Sequence, residues 1–353
     1  MAEHNGNVRL KDIADNLGLS IGTVQRALNN KGGYTEKTQH KVLKEAERLG
    51  YIVNTAASSL RRSPITIAVV LPVRNGRRRF FFNSVWQGIL NAEKEYAVYN
   101  IKFVNYETDQ DVDVFRNLLH KDNLKGIITN TQSAPQIRDI LQEFQNRHIP
   151  VYTVDGDPSE NLEKCNFKIT VPHQGDLVAE IFKTFLHDKV GTVLIIAGSK
   201  KTQRQTRRSL DFCNAMAKNC PNASILEFHM TGNTENTKDI MKNLIESMPD
   251  LIGLYSVSAL ETVDMCRIIR ELNRSGELVT IGTDLHSDML TFYEDKTLLA
   301  TVFQNPVLQG AQTVKLMLEH IMQPDKEQEK FIIPPSIVFS SIAADYCTSN
   351  NYN

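Results

Sequence analysis

The chain has 353 residues, with 40 Lys and Arg against 41 Asp and Glu, and a formal net charge of -1. Hydrophobic residues make up 41% and charged residues 23%, which is typical of a folded globular protein and excludes a wholly disordered one. The length predicts two or three domains. No apolar run approaches the roughly 18 residues of a membrane helix, and the N-terminus lacks an apolar signal core. We therefore expect a cytoplasmic protein without a membrane partner.

The charge is unevenly distributed along the chain. Residues 1–62 contain ten Lys and Arg and six Asp and Glu, so this segment carries +4 and the remainder carries -5. A short basic segment joined to a larger acidic body is typical of a nucleic-acid-binding module fused to another domain. The near-neutral total therefore does not exclude DNA binding.

The first predicted elements are three short helices. Their apolar residues, at helical spacing, are Leu10, Ile13, Ala14 and Leu17, then Val24, Ala27 and Leu28, then Val42, Leu43, Ala46 and Leu49. Gly18 can adopt the positive φ that ends the first helix, and Ser20 and Thr35 can cap the second and third. Two helices joined by a three-residue turn predict a helix-turn-helix. The alternative is a small helical bundle that makes protein contacts.

The stretches LKDIADNLGLSIGTVQRALNN and YTEKTQHKVLKEAERLGYIVN resemble the head of the lactose-repressor (LacI-type) family of bacterial regulators. The resemblance implies that the second helix enters the major groove of DNA. The positions that match the family's base-reading side chains are Ile21, Gly22 and Arg26, and Arg26 suits bidentate pairing with guanine. Gly22 has no side chain, and Ile21 offers only apolar contact.

Phosphate contacts are expected from three neighbouring polar residues of the same segment. Thr23, Gln25 and Asn29 are the residues that we expect to hold phosphates, which sets the register on DNA without reading its sequence.

Residues 54–63 resemble the family's hinge. Asn54 can cap a short helix on which Ala56, Ala57 and Leu60 share one side. The resemblance implies that Leu60 of two chains inserts into the minor groove and kinks it, so we expect a homodimer on a near-palindromic operator. The alternative is a flexible linker.

After Pro64, strand and helix patterns alternate in two series, which predicts an α/β fold. The full prediction is a small all-α helix-turn-helix head followed by two doubly wound lobes, and the second part resembles a type I periplasmic binding protein. The predicted domains are 1–53 for the head, 54–63 for the hinge and 64–353 for the effector-binding body, with an N-lobe of about 64–170 and 303–325 and a C-lobe of about 171–302 and 326–345. The segment 298–306 and the helix 306–322 are expected to cross back to the first lobe.

Polar and aromatic residues near strand ends predict a ligand site, because ligands of such sheets bind beyond the carboxyl ends of the strands. The resemblance extends to the family's sensor domain, which is itself similar to periplasmic sugar-binding proteins. It implies a stacking aromatic at Phe82 and polar contacts from Asp155, Arg208, Asp284 and Gln304. The Asn-Asp pair of the family is replaced here by Ser258-Ala259, which departs from the pattern for common pentoses.

Three further residues are candidates for the effector site, namely Arg79, Trp86 and Ser258. The alternatives are structural, since an aspartate at a strand end often caps the next helix and the single tryptophan can pack on its own helix.

Two loops, RNGRRR at 74–79 and KKTQRQTRR at 200–208, are rich in cations. Each follows the leading strand of its lobe, so an anionic effector such as a sugar acid or sugar phosphate could be clamped by arginines from both lobes. The alternative is a solvated surface.

The sequence has no P-loop or H-E-x-x-H motif, and its nine histidines lack metal-ligand spacing. Its G-x-S-x-G match, GLSIG at 18–22, lies in the turn between two predicted helices and not after a strand, where a nucleophile would be presented. We therefore expect no enzyme activity, no cofactor and no metal. The expected function is DNA-binding transcriptional regulation, most commonly repression, controlled by a carbohydrate-like effector that is neutral or anionic. The alternative is a cytosolic sugar-binding or sugar-modifying α/β protein that does not regulate through DNA.

Overall fold

The computed structural model describes residues 8–28, 32–49, 64–75, 78–108, 111–130, 135–154, 169–200, 203–230, 234–324 and 331–349. The chain divides into two compact units, one of Met1–Ser63 with Val98–Asn100 and one of Pro64–Ala97 with Ile101–Asn353. None of the helices in these ranges has the length and apolar character needed to span a bilayer. The predicted site residues Asn29, Asn54, Ala57, Leu60 and Asp155 lie outside the described residues.

The first unit contains the three predicted helices, α1 (Leu10–Leu17), α2 (Ile21–Leu28) and α3 (Glu36–Leu49). Their shared core consists of Ile13, Ala14, Val24, Ala27, Val42 and Ala46. Gly18 has φ 64° at the end of α1.

The caps of α2 and α3 are also as predicted. The hydroxyl of Ser20 accepts from the Thr23 amide at 3.1 Å, and that of Thr35 accepts from the Thr38 amide at 3.2 Å. The helix-turn-helix is therefore confirmed. The placement of Leu43 in the inner stripe of α3 was wrong, because its side chain is 49% exposed.

The second unit contains two main sheets. The first lobe has a parallel four-stranded sheet in the order β2-β1-β3-β4. Its strands and helices are β1 (Ile65–Leu71), α4 (Arg79–Tyr96), a 3-10 turn (Ala97–Tyr99), β2 (Ile101–Glu107), α5 (Val112–Leu118), β3 (Leu124–Asn130), α6 (Pro135–Asn146) and β4 (Val151–Val154). The strand β1 is buried on both faces, which agrees with its continuous apolar sequence.

The second lobe has a six-stranded sheet in the order β12-β10-β9-β8-β6-β7, in which β12 pairs antiparallel with β10. Its elements are α7 (Gln174–Leu186), β6 (Gly191–Gly198), α8 (Gln203–Asn219), β7 (Ala223–His229), α9 (Thr234–Glu246), β8 (Leu251–Ser256), α10 (Ala259–Glu271), β9 (Val279–Thr283), a 3-10 turn (Ser287–Met289), α11 (Leu290–Glu294), β10 (Ala300–Phe303), β12 (Ser336–Phe339) and α13 (Ser340–Ser349). The predicted two-lobed α/β architecture is confirmed.

The chain crosses between the lobes immediately after β10. This strand pairs with β9 and so belongs to the second lobe, whereas α12 (Pro306–Met322) packs on α4, β3 and β4 of the first lobe. The crossing therefore falls at Gln304 and Asn305, within the segment 298–306 that was expected to cross, while the strand at its start pairs within the second lobe. A third, two-stranded parallel sheet is formed by β5 (Ile169–Thr170) and β11 (Phe331–Ile332).

The helix α12, which follows the crossing, packs closely against α4. A Cβ on Gly88 would lie 1.9 Å from the carbonyl oxygen of Val307, and a Cβ on Gly310 would lie 2.2 Å from that of Val85. Both contacts are with backbone, which cannot move aside as a side chain can. Glycine at both positions therefore permits the two helices to approach closely.

Candidate functional site

The second helix of the head presents an exposed face suited to DNA. Gly22, Gln25 and Arg26 are exposed, and Ile21 is 47% exposed although it is apolar. Val24 and Ala27 on the opposite side are fully buried, so the predicted base-reading residues lie on the solvent side of α2. Thr23 is half-buried, and its hydroxyl lies 2.9 Å from that of Ser20 at the start of the helix.

A buried polar cluster lies at the carboxyl ends of the strands of the second lobe. Arg208 on α8, Asp284 after β9 and Gln304 after β10 are each less than 10% exposed. The Gln304 amide nitrogen donates to Asp284 Oδ2 at 2.7 Å, and its Oε1 accepts from Arg208 Nη2. Three of the residues predicted from separate segments are therefore joined in one hydrogen-bonded network.

Backbone groups complete the support of this network. Arg208 Nη1 donates to the carbonyl of Val257 at 2.8 Å, and Asp284 Oδ1 accepts from the backbone amide of Gln304 at 3.2 Å. Asp284 has φ 58°, a left-handed conformation that is rare for a residue with a side chain. Its carboxylate faces the crossing rather than the start of the next helix, where His286 provides the cap, so the structure does not support the capping role for Asp284.

Burial shifts the pKa values of Arg208 and of the neighbouring Tyr255. It lowers the pKa of Arg208 from its ordinary value, while the nearby Tyr255 and Asp284 oppose that shift. Burial also raises the pKa of Tyr255, which is fully buried beside the guanidinium. A buried guanidinium is tolerated only when paired and hydrogen-bonded, and Gln304 and Asp284 provide that environment.

The sequence did not point to Gln174, the first residue of α7. Its amide nitrogen donates to Gln304 Oε1 at 3.3 Å and to the carbonyl of Val171 at 2.9 Å, so it belongs to the same cluster. The strand that precedes it, β5, is only two residues long. Such a strand gives no periodicity from which its carboxyl end could be recognised.

Ser258, Phe82 and Trp86 occupy structural positions. The Ser258 hydroxyl caps α10 by accepting from the Glu261 amide at 3.4 Å. Phe82 and Trp86 belong to the core of the first lobe, where they are 3% and 1% exposed. The indole of Trp86 donates to the carbonyl of Pro72 at 2.8 Å, which satisfies its one polar atom. The structure therefore favours the packing role for Trp86 over an effector contact.

The start of α4 connects the two lobes. Phe80 is 2% exposed and belongs to the hydrophobic core of the second lobe, although the rest of its helix packs in the first. Its ring meets that of His286 edge-on at 5.1 Å. Arg79 lies over Phe80 at 4.2 Å and forms an ion pair with Asp288 at 3.3 Å. The predicted effector residue Arg79 thus contacts the opposite lobe and not the polar cluster.

Three arginines of the two basic loops pair with carboxylates of the protein. Arg74 pairs with Glu107, and Arg207 pairs with Asp211 at 3.1 Å. Within the described part of the chain, no group of three histidine, cysteine or acidic residues could hold a metal ion.

A helix-turn-helix head and a two-lobed α/β body with a buried polar cluster define a class of proteins in which a DNA-binding module is joined to a small-molecule-binding module. Residues 9–54 match the lacI family of bacterial regulatory proteins, and residues 67–325 match the periplasmic binding protein domain. The chain therefore belongs to the periplasmic binding protein domain family and carries the DNA-binding domain of LacI-family regulators.

Individual relatives agree with this assignment. The HTH-type transcriptional regulator RegA of Clostridium acetobutylicum is 32% identical over 158 residues, which is 43% of this chain and 44% of the relative. The matched segment thus spans less than half the length of that relative. The transcriptional repressor PurR of Haemophilus influenzae is 24% identical over 94% of this chain and 98% of its own length. A solute-binding protein from Burkholderia graminis, solved with D-arabinose, has a TM-score of 0.68 at 19% identity and covers 79% of this chain and 96% of its own.

Proposed function

We propose that the protein is a sequence-specific transcriptional repressor whose operator affinity is controlled by a small carbohydrate bound at the Arg208–Asp284–Gln304 cluster. The observation that carries the proposal is the position of Gln304, which belongs to the buried cluster and also forms the crossing between the lobes. A ligand bound to this network contacts the connection that sets the lobe orientation. Binding energy is thereby coupled to a change in lobe angle, and through it to the DNA-binding heads.

A carbohydrate suits this cluster because sugars present many hydroxyls, each of which both donates and accepts hydrogen bonds. The guanidinium, carboxylate and amides supply both kinds of partner in a buried setting. A solved protein of similar fold has D-arabinose bound. The protein would act in the cytoplasm as a homodimer, with two heads on a near-palindromic operator, and would be neither an enzyme nor dependent on a cofactor.

DNA binding is tested with the full chain and with a chain that lacks residues 1–62. Affinity is measured for duplexes from the promoter region next to the gene that encodes this chain, and for duplexes of random sequence. The measurement is repeated at several salt concentrations, because each phosphate contact contributes to the salt dependence. We expect the full chain to prefer one promoter site and the truncated chain to lose all binding. Equal affinity for promoter and random duplex would refute the regulatory function and favour a sugar-binding or sugar-modifying protein.

A pair of arginine variants tests which helix reads the bases. Arg26→Ala removes an exposed guanidinium from α2, and Arg48→Ala removes another exposed one from α3, where Arg48 pairs with Glu45. A lost bidentate base contact reduces discrimination by about 1–3 kcal/mol. We expect that loss for Arg26→Ala and unchanged site preference for Arg48→Ala. The reverse ranking would place the reading surface elsewhere on the head.

A further inference from the structure

We infer that Gln174 is a specificity-determining residue of the effector site and that, with Arg208, it selects a neutral hydroxyl over a carboxylate or phosphate. This inference rests on the proposed function, since it concerns the same buried cluster. It carries the assignment further by naming the residue that distinguishes a neutral sugar from its charged derivative.

The orientation of both glutamine amides is fixed by their partners. Asp284 Oδ2 can only accept, so the group of Gln304 that faces it at 2.7 Å is the amide nitrogen. Gln304 Oε1 then faces the Arg208 guanidinium, which can only donate. Because Gln304 Oε1 and the carbonyl of Val171 are both acceptors, the group of Gln174 that contacts them is also its amide nitrogen.

Two polar atoms of Arg208, Asp284, Gln304 and Gln174 are left without a hydrogen-bond partner among the described residues, as is the hydroxyl of the neighbouring Tyr255. They are the Oε1 of Gln174, a residue that is 6% exposed, and the Nε of Arg208, a residue that is 8% exposed. Buried polar atoms are nearly always hydrogen-bonded, and one left unpaired is costly. The cluster therefore requires one acceptor, for Arg208 Nε, and one donor, for Gln174 Oε1.

These two requirements define the chemical group that the ligand presents at this position. An alcohol group donates and accepts, so sugar hydroxyls satisfy both atoms. An ionised carboxylate accepts from Arg208 but has no proton to donate to Gln174 Oε1. A fully ionised phosphate group has the same deficiency, and either anion would place negative charge against an oxygen lone pair.

The charges around the cluster lead to the same conclusion. The positive charge of Arg208 is already opposed by Asp284, which is joined to it through Gln304. Two of the arginines that the sequence offered for an anion clamp are paired within the protein, Arg79 with Asp288 and Arg207 with Asp211. An anionic effector would compete with these carboxylates for both arginines.

The test uses the full chain and a panel of neutral sugars and cyclitols, each paired with the acid or phosphate that differs from it at one carbon. Aldohexoses are paired with uronic acids, pentoses with pentose phosphates and inositol with inositol phosphate. Thermal shift identifies binders, and calorimetry gives their dissociation constants. We expect at least one neutral member to bind, and to bind about tenfold or more tightly than its charged partner.

The variant Gln174→Met removes the unpaired acceptor, and with it the amide nitrogen that donates to Gln304 and Val171, with little change in volume. We expect it to weaken binding of the neutral ligand by about tenfold and to reduce the ratio between neutral and charged partners. The control is Gln309→Met. Gln309 is another buried glutamine of the described chain, and its amide donates to the backbone carbonyl of Gln304 at 2.9 Å. It should weaken stability without changing that ratio.

Each outcome decides the matter. A charged member that binds as tightly as its neutral partner overturns the inference, as does a panel in which no neutral member binds. A ratio that is unchanged in Gln174→Met overturns the role of that residue, and the comparison on the unaltered chain stands even if the variant does not fold. Operator binding is measured without ligand, so a chain that prefers its operator but ignores neutral sugars refutes only this inference. A chain that binds a neutral sugar but no operator refutes the regulatory function instead.

Discussion

Truncation of Phe80 should open the two lobes. This side chain belongs to α4 of the first lobe but is buried in the core of the second, with His286 at its edge. Burial of a phenylalanine contributes about 1.5–3 kcal/mol, and all of it depends on the lobes remaining together. Phe80→Ala should therefore lower the ratio of closed to open forms by roughly 10- to 150-fold. The adjoining Arg79–Asp288 ion pair is more than a third exposed on both sides and contributes about 1 kcal/mol at most.

The assay is the distance distribution between fluorophores placed on the two lobes, for instance at the exposed positions Arg138 and Lys218. Two control variants separate lobe opening from loss of stability. Phe115→Ala removes a fully buried phenylalanine within the first lobe, and Arg74→Ala breaks an ion pair with Glu107 within the same lobe. Both should leave the distances unchanged. The reasoning fails if Phe80→Ala opens the lobes no more than Phe115→Ala, or if Arg79→Ala opens them more than Phe80→Ala.

Three further outcomes are expected. Gly310→Ala should lower the free energy of unfolding of the body by about 3 kcal/mol or more, seen as a lower Tm, because its Cβ would lie 2.2 Å from a backbone oxygen; a neutral effect would disprove the close helix contact. Gly18→Ala has open space around its Cβ but requires φ 64°, so chemical denaturation of the head should show a loss of only about 1 kcal/mol. Burial lowers the pKa of His286, so below a pH of about 6.5 the unfolded chain binds a proton that the folded chain resists, and stability decreases as the pH falls. His286→Gln should flatten this pH dependence, and an unchanged slope would contradict the assignment.

Local sequence signals were sufficient for the head and for most of the body. The three helices of the head carry their own apolar spacing, caps and turn glycine, so no distant contact is needed to recognise them. The strands at 65–71 and 191–198 are continuous apolar runs because both faces are covered by helices. The helix 135–146 was predicted to the residue, since a proline begins it.

The sequence was least informative where tertiary contacts determine the structure. Phe80 is adjacent in sequence to Phe81 and Phe82. Only the folded structure shows that Phe80 packs in the core of the second lobe, while Phe81 and Phe82 pack in the core of the first. Leu43 fits the helical spacing but falls just outside the buried stripe of its helix. Gln174 follows a two-residue strand whose partner is more than 150 residues away, so no local pattern could show that it joins Gln304.

The crossing at Gln304 and Asn305 gives one short segment two tasks. Asn305 adopts φ 53° and caps α12 by accepting from the Leu308 amide, while Gln304 beside it holds both Asp284 and Arg208. Under the proposed function, a residue that would contact the ligand is therefore also part of the connection between the lobes. A substitution at Gln304 would alter recognition and mechanics together, so a new effector preference could not be acquired there without disturbing the response. Gln174 is not part of the crossing, but its amide nitrogen contacts Gln304, so a substitution there would reach this segment through one hydrogen bond.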